Sequence, residues 1–278
     1  MKHEEITHLA VARLQECREQ IIESWNQPRR TSTRHFYVDN FFPLEIAQQA
    51  YAAFPKDADG FYSSKTFREK KRTSAHLDEY APILGEITYA LQDERLVNLI
   101  ADLVGFDEIE PDPALYAGGL SMMFKGDFLN PHIDNSHDAK RDRYRRLNIL
   151  YYVSPQWTFE NGGNFELWDD TQTVPETIVS AENRLLVMET NKTSWHSVSP
   201  VRADSPRCCI SNYYFSRESP DKSAYFHVTS FTGRPEEKLK RALAPVDNSL
   251  RNSLSKTLGV GRGKGLVNQT KNGLKRPG

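Results

Sequence analysis

The chain has 278 residues, 38% hydrophobic and 11% aromatic, with a formal net charge of −1 and a mean hydropathy of −0.64. These totals suit one large soluble domain or one domain with additions. They exclude a membrane-spanning helix, because no run of about 18 apolar residues is present. The charged start, MKHEEITHLAVARLQECREQ, lacks the apolar core of a secretory signal, so a cytoplasmic protein is expected. Three cysteines, Cys17 and the adjacent pair Cys208 and Cys209, fit neither a disulfide framework nor a Cys-ligated zinc site.

In chain order, residues 1–112 read as a helical and mixed region. Ile6, Leu9, Ala10, Leu14, Cys17, Ile21 and Trp25 recur at helical spacing over residues 4–25. That apolar stripe suits packing on a core or a dimer contact, and the oligomeric state stays open. HFYVDNFFP predicts a short strand ending at Pro43, and LEIAQQAYAAF a helix stopped at Pro55. Residues 56–80 are polar, charged and dotted with aromatics, which predicts a long loop or lid. PILGEITYALQDERLVNLIADLVG has helical period, broken near Asp93.

The texture changes near residue 115. LYAGGLSMMF, LNILYYVS, NFELWD, TIVSA, RLLVMET, SVSPV and RCCISNYYFS are short β-like runs separated by turn signals. Regular short strands predict a sandwich or jelly roll over residues 113–232 rather than βαβ units. The expected class is therefore mainly β with N-terminal helices.

Residues 233–278 form a basic tail. From Arg234 to Gly278 there are 11 Lys+Arg against 3 Asp+Glu, a net of +8. A solvated, partly disordered terminus is expected, with nucleic acid touched weakly at most.

The stretch NPHIDNSHDAK holds His132, Asp134, His137 and Asp138. In an extended segment His132 and Asp134, two apart, point to one face and can grip one metal from the same side. A third ligand must come from elsewhere. His196, in ETNKTSWHSVSPV, follows the apolar run RLLVME and so sits where a sheet can aim it. Two histidines and one carboxylate make the facial set that suits non-haem iron(II) and leaves three positions open, with zinc less favoured. A 2-oxo acid such as 2-oxoglutarate fills two of them. Its far carboxylate needs a cation, best a guanidinium. Arg207, beyond the turn RADSP, is expected on an antiparallel neighbour alongside His196, whereas Arg202 belongs to the turn itself.

PHID followed by RRLNILYYVSPQW, NGGNFELWD, NRLLVME, WHSVSPV and RCCISNYYF resembles the iron(II)- and 2-oxoglutarate-dependent oxygenases of the prolyl-4-hydroxylase-like superfamily, over roughly residues 115–218. The resemblance implies a double-stranded β-helix (jelly roll) core. It implies that His132, Asp134 and His196 bind iron and that Arg207 binds 2-oxoglutarate. It also implies that dioxygen converts 2-oxoglutarate to succinate and CO2 while a substrate carbon is hydroxylated, with ascorbate in a supporting role. One departure stands out: Met122, Met123 and Phe124 occupy the place where relatives often carry a tyrosine.

Asn148, on the alternating run LNILYY, is a candidate to hydrogen-bond 2-oxoglutarate. His137 and Asp138 are expected in a solvated flap at the mouth. Gly162 and Gly163 are expected to permit a turn, and Cys208 and Cys209 to alternate across the sheet. Lys56, Lys65, Arg68, Lys70, Lys71 and Arg72 in the lid, with Lys140, Arg141, Arg143, Arg145 and Arg146 beyond the metal run, point to an anionic small-molecule substrate. Two alternatives remain: a prolyl residue of a protein, and a non-catalytic binding or scaffold protein on the same fold.

Overall fold

The first apolar stripe does not form one helix. In the computed structural model, which describes residues 2–28, 30–169, 171–221 and 223–258, it divides at Cys17 into α1 (His3–Glu16) and α2 (Arg18–Asn26). β1 (His35–Val38) and α3 (Leu44–Ala53) follow, then β2 (Tyr62–Lys65) and β3 (Glu69–Ser74). The predicted helical pair is α4 (Pro82–Ala90) and α5 (Glu94–Val104). The Asp93 carboxylate caps α5 by accepting the Arg95 N–H at 3.0 Å, which satisfies one of the orphan donors of a helix start.

The β elements are β4 (Glu110–Pro111), β5 (Gly119–Met123), β6 (Phe128–Ile133), β7 (Tyr144–Tyr152), β8 (Phe165–Trp168) and β9 (Pro175–Ile178). They continue with β10 (Arg184–Glu189), β11 (His196–Val198), β12 (Arg207–Ser216) and β13 (Ser230–Phe231), before α6 (Lys238–Leu258). All pairings are antiparallel. One wall runs β1-β10-β7-β12-β5-β3, and β3 passes it on to β6-β11-β8-β9. The sheet curls over into the expected jelly-roll core.

Strand alternation divides the core in two. Leu147, Ile149 and Tyr151 of β7, Leu185 and Val187 of β10, and Cys208 and Ile210 of β12 pack beneath the helices with Leu84, Leu96 and Ile100. Leu150 and Tyr152, Leu186 and Met188, and Cys209 face the interior between the walls, with Phe165, Leu167 and Phe231. Each fully buried aliphatic side chain in such layers contributes roughly 1.5–3 kcal/mol. Trp25 closes the helical layer edge-on against Phe36 and Phe106, 6.2 and 6.0 Å between ring centroids.

Residues 56–80 are not a loop. β2 and β3 form a hairpin, and β3 pairs with both β5 and β6, so it belongs to the core sheet. The buried positions of the hairpin, Ser64, Glu69 and Ser74, are polar, which hid the strands in the sequence. The Ser64 hydroxyl donates to the Glu69 carboxylate at 2.7 Å. The tail differs too, since α6 occupies residues 238–258. The Gly- and Lys-rich stretch 259–278 lies outside the described residues.

Candidate metal centre

β6 and β11 pair so that His132 and His196 sit opposite each other. Their rings lie 4.0 Å apart between centroids. Nδ1 of His132 is 3.0 Å from the Asn130 carbonyl, and Nδ1 of His196 is 2.9 Å from the Ser194 carbonyl. A carbonyl accepts only, so each ring carries its proton on Nδ1 and turns a lone pair on Nε2 inward. Asp134 follows β6, its Oδ1 3.6 Å from Nε2 of His132 and its Oδ2 3.7 Å from Nε2 of His196.

One ligand atom from each of these three residues lies within 4.8 Å of the others. Asp134 Oδ2 is buried with no hydrogen-bond partner among the described residues. A buried carboxylate oxygen without a donor is costly unless something cationic meets it. Burial raises the Asp134 carboxyl, but Arg145, His196 and His132 outweigh it and hold the group well below the usual carboxylate range. Burial and the neighbouring His132 bring His196 down to about 3. The donor set, one carboxylate and two imidazole nitrogens, fits iron(II).

The surroundings fix these ligands. Phe231 of β13 stacks on His132 at 5.2 Å, and Phe165 of β8 on His196 at 5.5 Å. β11 is braced from behind: the Ser197 hydroxyl donates to Glu166 at 2.5 Å, and the Trp168 indole donates to that hydroxyl at 2.8 Å. Arg234 clamps Glu166 at 2.7 Å. Such outer partners hold ligand geometry.

Arg207 is buried on β12. Its Nε donates to the Ser180 hydroxyl at 3.1 Å and its guanidinium lies 4.7 Å from the centre of the Tyr152 ring. It does not sit on a neighbour of β11. β12 pairs with β5, β7 and β4, while β11 pairs with β6 and β8, so Arg207 reaches the interior from the opposite wall. The Tyr152 hydroxyl beside it is buried and meets no partner in hydrogen-bonding geometry among the described residues. It supplies a phenol that the run Met122-Met123-Phe124 lacks. Its position in LNILYY, four residues after Asn148, was the available signal. Asn148 is buried on the same face, with Oδ1 unpartnered among the described residues.

Gly163 adopts φ +61°, and a Cβ there would come within 2.8 Å of Cδ of Arg207. Its lack of a side chain is what allows that arginine to lie where it does.

In the sequence Arg145 stands only as one of the cations beyond the metal run, without a place at the metal centre. It is 1% exposed, with Nη1 3.4 Å from Asp134 Oδ2 and its guanidinium 3.8 Å from the centre of the Tyr213 ring. Nε and Nη2 have no hydrogen-bond partner among the described residues. The pairing of β7 with β12 slips here, from Leu147 opposite Tyr214 to Arg145 opposite Phe215. The extra residue, Arg146, points to Phe106 on the helical side, 4.2 Å from ring centre, and Arg145 is turned inward.

His137 and Asp138 do not form a solvated flap. Both are buried. Asp138 is held by Arg143 at 2.9 Å, and His137 packs 4.3 Å from Tyr144. Besides Arg145, five of the eleven cations expected to line the mouth are paired with acids of the protein: Arg68 with Asp247, Lys70 and Arg72 with Asp127, Lys71 with Glu69, and Arg143 with Glu110.

Residues 118–215 match the family model of the 2OG-Fe(II) oxygenase superfamily. Among solved structures the chain is similar to a prolyl-4-hydroxylase of Pseudomonas putida, at 15% identity, 71% of this chain, 100% of that one and a TM-score of 0.53. It is also similar to a prolyl-4-hydroxylase of Phytophthora capsici, at 13% identity, 87% of this chain, 78% of that one and a TM-score of 0.51. A third is a prolyl hydroxylase of Trichoplax adhaerens in complex with a hypoxia inducible factor peptide, at 16% identity, 73% of this chain, 92% of that one and a TM-score of 0.50. At these identities the likeness is one of fold. Nothing matches among curated protein sequences.

Proposed function

We propose that this chain, a member of the 2OG-Fe(II) oxygenase superfamily through residues 118–215, hydroxylates an unactivated carbon of a small anionic metabolite or biosynthetic intermediate. The enzymes of this superfamily use iron(II), 2-oxoglutarate and dioxygen. The observation that carries the substrate class is Arg145: a buried guanidinium beside a metal-ligand carboxylate, with two N–H-bearing nitrogens lacking a protein partner among the described residues. A buried, unsatisfied cation is expensive, and an anionic group of the substrate relieves that cost.

When bound, iron(II) with 2-oxoglutarate and dioxygen would supply the oxidation, giving succinate, CO2 and the hydroxylated substrate. His132, Asp134 and His196 would hold the metal. Arg207 receives the far carboxylate of 2-oxoglutarate, with the Ser180 and Tyr152 hydroxyls beside it. Asn148, on the same strand face as Tyr152, offers an amide to the co-substrate. Arg145 orients the substrate from the Asp134 side. Phe165 and Phe231 flank the histidines and keep water from them.

The test is incubation of the protein with iron(II), ascorbate, 2-oxoglutarate and pools of carboxylated and phosphorylated metabolites, followed by mass spectrometry. A metabolite that gains one oxygen, with matching succinate, is expected. Oxygen gained only by proline-containing peptides would replace this reading with protein hydroxylation. No turnover with any pool, together with unchanged metal content in His132→Ala, would leave a binding protein on the same fold.

A further inference from the structure

α6 is attached to the protein by its polar side. Asp247 pairs with Arg68. Asn248 takes both backbone groups of Phe231, accepting its N–H at 3.0 Å and donating to its carbonyl at 2.8 Å. Arg251 donates to the Thr229 carbonyl at 2.8 Å, and the Asn252 side-chain oxygen accepts the Val228 N–H at 2.8 Å. Arg141 donates to the Ser255 hydroxyl at 3.0 Å. The opposite side carries Leu239, Leu243, Val246 and Leu250, which are 82, 67, 70 and 61% exposed. Spacings of four, three and four set them on one face of the helix. A surface helix ordinarily buries its apolar stripe and wets its polar one. Here the order is reversed.

We propose that α6 lays this stripe on an anionic lipid surface. The charge of its own segment favours that partner. Residues 234–258 carry six Lys+Arg against three Asp+Glu, a net of +3, and the sequence 259–278, outside the described residues, adds five Lys+Arg and no acid. Asp247 is paired with Arg68 and Arg251, Glu237 accepts the Arg234 N–H, and the Arg234 guanidinium is paired with Glu166. A net-cationic helix with an exposed apolar face lies in the plane of a membrane interface, with apolar burial and attraction to acidic headgroups acting together. No helix among the described residues is long and apolar enough to cross a membrane, so the contact is peripheral.

Pairing of α6 with a second copy fits less well. It would set two net-cationic segments together. The four side chains span about 17 Å of helix, and stable interfaces bury about 1,200–2,000 Å². The inference is independent of the substrate.

Co-sedimentation of the full chain with vesicles tests it. At about 0.15 M salt the protein is expected to pellet with phosphatidylcholine vesicles containing phosphatidylglycerol, and not with phosphatidylcholine alone. Binding should weaken as salt rises. The double variant Leu243→Asp/Leu250→Asp, changed at exposed positions, should lose at least about tenfold in partitioning, with metal content and circular dichroism as in the parent. Equal pelleting with neutral vesicles, full binding by the double variant, or a dimer in light scattering that the same variant dissolves would each overturn the proposal.

Discussion

His132 and His196 present their Nε2 atoms from paired strands, and each is held by the carbonyl of the residue two places before it, Asn130 and Ser194. Two rings thus have their tautomer set by their own strands. Changing His196 to Ala should therefore weaken metal binding by more than the roughly 10- to 100-fold typical of outer-layer changes. Ser197→Ala, which loosens the brace through Glu166, should fall inside that range. Titration calorimetry with manganese(II) on both variants measures the difference. Equal affinities would remove His196 from the ligand set.

Arg207 and Gly163 should act as a pair. Loss of a charged hydrogen-bonding group costs about 1.5–3 kcal/mol, so Arg207→Gln should weaken 2-oxoglutarate binding about 10- to 100-fold. Gly163→Ala should move affinity the same way, because the new Cβ meets the Arg207 side chain at 2.8 Å and the backbone has φ +61°. Neither change should alter manganese affinity. Normal 2-oxoglutarate affinity in Gly163→Ala would show that Arg207 does not need its present position.

Arg145→Gln should leave the dissociation constant of 2-oxoglutarate within about twofold while raising KM for the hydroxylated substrate. A truncated buried charge contact costs about 2–5 kcal/mol, so the rise should exceed about thirtyfold. Arg145→Lys should recover part of it, since a single ammonium keeps the charge but not the fork. Unchanged KM in Arg145→Gln would dismiss the substrate role.

Acid should destabilise the metal-free protein through His196. Its folded value near 3 lies below the ordinary 6.5. The unfolded chain therefore takes up a proton first as pH falls. The stabilisation is whole above about pH 6.5 and is lost progressively toward pH 3. The Tm of the metal-free protein should fall across this window, and more shallowly in His196→Gln. Identical slopes in both would place the proton uptake elsewhere.

The convergence of the candidate triad was legible because it lies in residue type and strand parity: His132 and Asp134 two apart, and His196 at the end of an apolar run. The jelly roll was legible from evenly spaced strands and turns. Pairing was not. Arg207 follows His196 closely in sequence, yet the chain crosses to the other wall between them, and no local pattern encodes that crossing. The β2–β3 hairpin was hidden because Ser64, Glu69 and Ser74 satisfy one another and their neighbours by hydrogen bonds and charge rather than by apolar burial. Arg145 looked like one loop cation among several, because the slip at Arg146 reverses the parity that alternation assigns. His137 and Asp138 looked like their neighbours in composition, and only tertiary contacts with Tyr144 and Arg143 bury them.

β7 carries one further consequence, for how this protein can change over generations. Leu147, Ile149 and Tyr151 pack toward the helices; Asn148, Leu150 and Tyr152 face the interior between the walls. Successive letters of one strand thus carry separate burdens, one layer setting stability and the other shaping the cavity. The slip beside Arg146 is where the two exchange places, so an insertion or deletion there would swap the roles of the residues on one side of it.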